Sequence, residues 1–368
     1  MPNLAETQTI AFVYDPKAPY LERGYSEIDC ADLADEVTIN AVSNAIHKLG
    51  HNVFHVPGIK PLVGHLAAGE QKNWDLVFNF SEGVRGSARE SQVPALLEAY
   101  GVLYTFSDAA TLSMCIDKAK TKMLLEHYRI PTSPFALVPR YGLEANYTSL
   151  MEGISFPLFA KPVAASTSNG ILPSNKITRP EDLKKTVENL RSQFKSQEIM
   201  LEEFLDGTEY TVAILGPNDA PRVLGVLEVT WYNPEGGNGH GKDGEEGGDS
   251  VDFATCFSKV GRGPGQDIGT VHADLNDPLV KKVADVAVST YRVLGCRDGA
   301  RVDIRLSSQK NGGVPNVIEV NPLFGLRDDF SLFPVIARNN GMEYHELIAE
   351  IIDSARQRRN FEDGGIIG

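Results

Sequence analysis

The sequence predicts an α/β unit followed by an α+β unit, and three observations carry that reading. Short apolar runs alternate with helical spacings over the first hundred or so residues, which fits a small parallel sheet covered on both faces. From Lys118 onward, strand-like runs follow one another directly, the signature of α+β organisation. The 368 residues, 42% hydrophobic with 34 Gly and 21 Pro, hold enough apolar material for two or three cores at ~150 residues per domain.

The elements follow in order. Thr9 to Tyr14 (TIAFVY) reads as a strand, and Asp32 to Leu49 as a helix with Leu33, Val37, Ala41, Ala45, Ile46 and Leu49 at helical spacing before Gly50 stops it. His51 to Val56 and Asp75 to Phe80 give two more strands, joined by a Pro/Gly-rich connection from Pro57 to Gly69. Lys118 to His127 is helical, Phe156 to Lys161 strand-like, and Val163 to Gly170 a loop of small residues. A helix opens at Pro180-Glu181-Asp182, and strands follow at Glu198 to Phe204 and Glu209 to Leu215. Asn233 to Gly248 is Gly-rich and polar, which predicts a mobile surface loop. A helix from Pro278 to Leu294, strands at Ala300 to Leu306 and Pro315 to Val320, and a helix over Glu343 to Arg356 close the chain.

The formal charge of −14 repels phosphate backbones and anionic lipid, so nucleic acid and membrane are poor partners. No basic segment followed by an apolar core opens the sequence, and no run of eighteen apolar residues occurs, so a soluble, cytoplasmic protein is expected. Four dispersed cysteines fit neither a disulfide framework nor a zinc site.

Several motifs match only by letter. Gly236 to Lys242 has P-loop spacing, but Asp243 replaces the hydroxyl that should reach magnesium. Gly239, Gly241 and Gly244 match the dinucleotide pattern in the same polar segment, while the first strand runs into Asp15-Pro16-Lys17 instead of glycines. His47, His51 and His55 recur every four residues, yet Gly50 interrupts them, which favours ordinary packing over metal ligation.

The chemistry concentrates elsewhere. In Arg301-Val302-Asp303-Ile304-Arg305 and Ile318-Glu319-Val320-Asn321, alternate residues share a face. If these strands pair, Asp303, Glu319 and Asn321 converge as three oxygen donors, a set that suits magnesium sharing substrate phosphates. A cross-strand salt bridge of Arg301 or Arg305 with Asp303 or Glu319 is the competing reading. Lys161 opens K-P-V-A-A-S-T-S-N-G, whose backbone N–H and hydroxyl groups suit a phosphate. Lys118 is a second candidate cation, and Glu202-Glu203-Phe204-Leu205 with Glu209 could give acceptors for adenine or ribose.

With Val77-Phe78-Asn79, Ser81-Glu82-Gly83, Pro94-Ala95-Leu96-Leu97-Glu98, Cys115-Ile116-Asp117-Lys118, Phe159-Ala160-Lys161-Pro162, Glu209-Tyr210-Thr211-Val212, Arg301-Val302-Asp303 and Glu319-Val320-Asn321, the chain resembles the D-alanine:D-alanine ligase branch of the ATP-grasp superfamily. Order and spacing agree from about Asp75 to Asn321. The resemblance implies three parts: an N-terminal parallel α/β domain over 1–115 and two domains, 116–215 and 216–368, clasping ATP. It implies Lys118, Lys161, Thr167 and Ser168 on the phosphates or the adenine edge, Glu202, Glu203 and Leu205 at adenine, and Glu209 at ribose. Asp303, Glu319 and Asn321 would hold magnesium, with manganese as a substitute. Arg301 would face the oxyanion, and Asn233 to Gly248 would form the lid.

The implied activity is ADP-forming ligation of a carboxylate to an amine through an acyl phosphate, with small amino-acid-like substrates. A ligase of the mycosporine type and a non-catalytic nucleotide-binding protein are the alternatives. Relatives of this kind are often homodimers, although no surface stripe marks an interface. The sequence departs from the branch where Pro322-Leu323-Phe324-Gly325 follows Asn321, where Ser331 stands one residue late for the acceptor-carboxylate serine, and where Ala165 and Ser166 replace the usual Glu and Gly. The acid that meets the donor ammonium is left open among Asp32, Asp35 and Glu36.

Overall fold

The computed structural model describes residues 7–27, 29–140, 150–165, 170–194, 197–232, 253, 267–307 and 313–362. Three sheets organise them. The first is parallel, with β1 (Thr9–Tyr14) between β2 (Asn52–Pro57) and β3 (Leu76–Phe80). Its strands are apolar throughout because both faces are covered. On one face Phe12, Phe78 and Phe106 pack with Val42 and Ile46 of helix α2 (Glu36–Lys48); on the other, Val77 and Val13 pack with Leu62, Leu66 and Leu97. Asp35 caps α2 by accepting from the Thr38 N–H at 2.8 Å, so the helix starts at Glu36, four residues after the predicted Asp32.

The segment from Pro57 to Gly69, read as a connection, holds a helix at Ile59–Ala68. Ile59, Leu62, Val63 and Leu66 carry the helical spacing. Pro61 lies in its first turn, where a missing N–H costs nothing.

The second sheet has four antiparallel strands in the order β4-β7-β5-β6: β4 (Phe135–Val138), β5 (Leu158–Pro162), β6 (Lys176–Ile177) and β7 (Ile199–Glu203). The Pro180–Gln193 helix covers it through Leu183, Val187 and Leu190. The third sheet has five strands in the order β10-β9-β8-β11-β12: β8 (Glu209–Gly216), β9 (Arg222–Tyr232), β10 (Asp267–His272), β11 (Asp298–Leu306) and β12 (Pro315–Asn321). β9, which the sequence reading did not assign, pairs along the length of β8. β8 lies in the middle of this sheet, so the chain passes between the two antiparallel sheets ahead of Glu209.

The third sheet is buried on both faces. One face packs on the Pro278–Val293 helix through Val283, Ala287 and Tyr291, while the other joins the first core through Ala213, Leu215, Phe324 and Phe333. The final helix (Tyr344–Glu362) sets Leu347, Ile348, Ile351 and Ile352 into that shared core, and burying each contributes about 1.5–3 kcal/mol. Asp298 reinforces the same junction, accepting from the Phe106 N–H at 2.7 Å, from Ser354 Oγ at 2.8 Å, and from the Arg358 guanidinium. Among the described residues, no helix is long and apolar enough to cross a membrane.

Candidate active site

A cavity of about 650 Å³ lies between the second and third sheets and extends to the first, within the range of roughly 300–1,000 Å³ typical of small-ligand sites. On its third-sheet wall, Arg301 pairs opposite Asn321 and Asp303 opposite Glu319, which puts all four side chains on one face, as alternation requires. Beyond Asp303 the register shifts, and Ile304 faces Val317. Ile318 is the extra residue of this bulge, so Ile318 and Glu319 both line the cavity.

Donors surround the Asp303 carboxylate. Arg301 Nε and Nη2 donate at 3.0 and 2.8 Å, Thr211 Oγ1 at 2.9 Å, and Asn321 Nδ2 at 3.3 Å. Burial pulls the Arg301 pKa down, but the charge and hydrogen bonds of Asp303 outweigh it and raise it. Lys118, at the start of its helix, places Nζ 2.8 Å from Glu319 Oε1 and donates to the Ala165 carbonyl at 2.6 Å. Arg301 and Asp303 do pair, within β11 and not across strands, and Arg305 lies 3.4 Å from Glu209 of β8.

On the opposite wall Lys161 projects from β5 and sits 2.6 Å from Glu202 Oε1. The second oxygen of Glu202 meets Lys122 Nζ at 2.8 Å and Ser133 Oγ at 3.0 Å. Burial pushes the Glu202 pKa up, but the two lysines more than offset it and bring it down to about 2. Both oxygens of Glu202, a residue the resemblance puts at adenine, are engaged, and the side chain anchors two cations. Glu203 accepts from the Ser155 N–H at 2.7 Å and, like Leu205 and Glu209, lines the cavity.

Ser331 lines the far end and accepts from the Arg327 N–H at 3.1 Å. Thr167, Ser168 and the Asn233 to Gly248 segment, including the P-loop lookalike, lie outside the described residues. The three histidines are separate packing groups: His55 stands edge-on to Tyr14, His47 bonds the His51 carbonyl, and His51 meets Arg356.

Sequence reasoning missed groups in the cavity walls and, with Lys122, one buried behind them. Lys122 is 2% exposed and carries the only spacing signal that could have found it, one helical turn after Lys118. Phe159, Phe204 and Phe253 form an aromatic cluster with ring centroids 4.8–6.1 Å apart, with Lys176 and Arg305 over the Phe204 ring at 3.9 and 4.8 Å. Among the described residues no three His, Cys, Asp or Glu side chains are grouped to hold a metal; the Asp303, Glu319 and Asn321 set has two carboxylates and an amide.

A sequence-family model described as "D-ala D-ala ligase C-terminus" matches residues 124–353, more than half of the chain. The D-alanine--D-alanine ligase of Desulforudis audaxviator is 29% identical over 274 residues, covering 73% of this chain and 78% of that protein. The protein y4sG of Sinorhizobium fredii is 29% identical over 334 residues, covering 89% and 90%. The crystal structure of D-alanine--D-alanine ligase from Bacillus anthracis superposes with a TM-score of 0.71 at 18% identity, covering 97% and 99%, which establishes the fold.

Three sheets round one cleft give the ATP-grasp fold, and the family model and the ligase relatives make the chain an ATP-dependent, ADP-forming ligase that makes C–N bonds. The chain belongs to the D-alanine–D-alanine ligase family.

Proposed function

We propose that the protein joins the carboxylate of one amino acid to the amine of a second, through an acyl phosphate and with a magnesium ion at Asp303, Glu319 and Asn321. The observation that carries this reading is the convergence on one cavity of Lys118 and Lys161 with the paired positions Asp303, Glu319 and Asn321. Small amino acids as substrates, D-alanine by default, are suggested by the relatives named above. The mycosporine-type alternative gains no support from those relatives.

The donor set fits magnesium, which takes one or two carboxylates and completes its shell with water and phosphate oxygens. When bound, the ion would supply charge neutralisation to the phosphates. The remaining work falls to the chain. Lys118 and Lys161 hold phosphate oxygens, and their partners Glu319 and Glu202 keep them pointed into the cleft. The donor carboxylate attacks the γ-phosphate to give the acyl phosphate and ADP. The acceptor amine then attacks the acyl carbon, and Arg301, held by Asp303, faces the oxyanion until phosphate leaves. Ile318 and the aromatic cluster give the base an apolar bed, and the backbone of Glu203 to Leu205 offers its polar edge.

The test is release of ADP and phosphate from ATP and magnesium with a broad panel of amino acids, followed by mass spectrometry of the product. Substrate-dependent release and a condensed product are expected. ATP binding without turnover, unaffected by Asn321→Ala, would instead identify a non-catalytic nucleotide-binding protein.

A further inference from the structure

The cavity continues past Lys118 to an end lined by Asp32, Glu82 and Glu90, on the side of the first sheet. Glu82 follows β3, and Glu90 lies in the short turn that leads into the Gln92–Ala99 helix. Arg89 is the cation of this group. Its guanidinium stands 3.5 Å from Asp32, 3.5 Å from Glu90 and 3.3 Å from the Ala164 carbonyl. Glu82 is 8% exposed and, among the described residues, has no hydrogen bond or ion pair. A carboxylate that is buried, unpaired and turned into a cavity is costly unless something enters to meet it. Asp15, just beneath, is satisfied by Ser81 Oγ at 2.5 Å and the Gly83 N–H at 2.9 Å, so it does not supply that partner.

This end adjoins the proposed phosphate site through the backbone. The Ala164 carbonyl takes Arg89, and the next carbonyl, Ala165, takes Lys118. A donor whose carboxylate reaches the phosphates therefore directs its other groups toward Glu82 and Glu90. One ammonium answers one carboxylate. Arg89 is shared between Asp32 and Glu90, while Glu82 has no such partner among the described residues, and Ala31, Phe80 and Ile116 provide apolar wall for a methylene stem that brings a second ammonium to this end.

We infer that Asp32, Glu82 and Glu90 form a subsite for a cationic side chain, and that the donor is a basic amino acid of the lysine or ornithine class. This rests on the ligase reading above and names its substrate. Burial, joined by Glu90 and Asp32, pushes the Glu82 pKa well up, and burial against the pull of Arg89 raises Glu90 to about 7. Both directions are those of carboxyls awaiting a counter-charge.

The experiment is calorimetric titration of the full chain, loaded with magnesium and a non-hydrolysable ATP analogue, with lysine and with norleucine of each handedness. Norleucine has the same stem without the charge. Lysine of one hand is expected to bind at least tenfold tighter than the matching norleucine, and the ratio should fall to within twofold in Glu82→Gln. Glu90→Gln is the second variant; the amide keeps a polar group beside Arg89, and thermal unfolding should stay cooperative in both. Equal binding of lysine and norleucine overturns the inference, as does a lysine preference that survives both substitutions. ADP release is read separately. Release with alanine and norleucine as efficient as with lysine sinks the basic-donor assignment alone. A lysine preference in binding without ADP release from any amino acid supports the subsite and sinks the ligase reading.

Discussion

Lys118 Nζ lies 2.8 Å from Glu319 Oε1, so the residue that opens the helix entering the ATP-grasp unit is tied to the last strand of the third sheet. The pair closes one side of the cavity, and each partner holds the other where substrate phosphates would arrive.

Glu319→Gln removes a charge from the proposed magnesium set while keeping the side-chain shape. Turnover is expected to fall by ~10²-fold or more, with a raised magnesium requirement. Arg301→Ala is expected to lower kcat with little effect on ATP affinity, whereas Lys161→Ala weakens nucleotide binding. Steady-state ADP release set beside nucleotide titration distinguishes these outcomes, and unchanged values in either variant would contradict the role given to that residue.

Glu202 is held by Lys161 and Lys122, so Glu202→Gln leaves two buried ammonium groups facing a neutral amide. A loss of ~3–5 kcal/mol is expected in urea unfolding. The pH dependence has a definite sign. The folded pKa of about 2 lies below the ordinary 4.5, so this carboxylate's stabilisation is complete above about pH 4.5 and drains away as pH falls toward 2. Glu202→Gln should flatten that part of the stability profile.

Asp298 gathers the Phe106 N–H, Ser354 and Arg358, joining the first sheet's loop to the final helix. Asp298→Ala should cost ~3 kcal/mol, because a buried donor and a guanidinium lose their acceptor together. Asp298→Asn keeps an acceptor oxygen and should cost less. A ranking of the two by thermal unfolding checks the claim, and equal midpoints would refute it.

Gly83 has φ +65°, and a Cβ there would sit 2.5 Å from the Arg89 carbonyl oxygen. Gly83→Ala must therefore push away the turn that carries Arg89 and Glu90. Amino-acid binding should weaken more than nucleotide binding. Parallel titrations with lysine and ATP would show the difference, and an equal loss of both would count against it.

Much of this site was legible from residue order alone. Alternation placed Asp303, Glu319 and Asn321 on one face before any pairing was known, and the β11–β12 register bears that geometry out. Lys118 and Lys161 stood out because charge is unusual at the ends of apolar runs. Glu202 was found without its ion pairs, since its partner Lys122 is remote in sequence and the triad exists only once β7 packs on the Lys118–His127 helix. β9 was missed although Val223, Leu224, Val226, Leu227 and Val229 are apolar; buried on both faces, the strand shows no alternation to detect. Glu82 stood in the sequence as one letter of a family motif. Its significance comes from burial without a partner, which no local pattern encodes.

A strand of strict alternation shows a ligand only every second side chain, so at any one depth it must offer either grease or charge. The insertion at Ile318 frees β12 from that choice: an aliphatic group and an acid stand shoulder to shoulder, one suited to a flat ring and the other to an ion. Excising that single residue would force half the strand to roll over, exchanging its wet edge for its oily one.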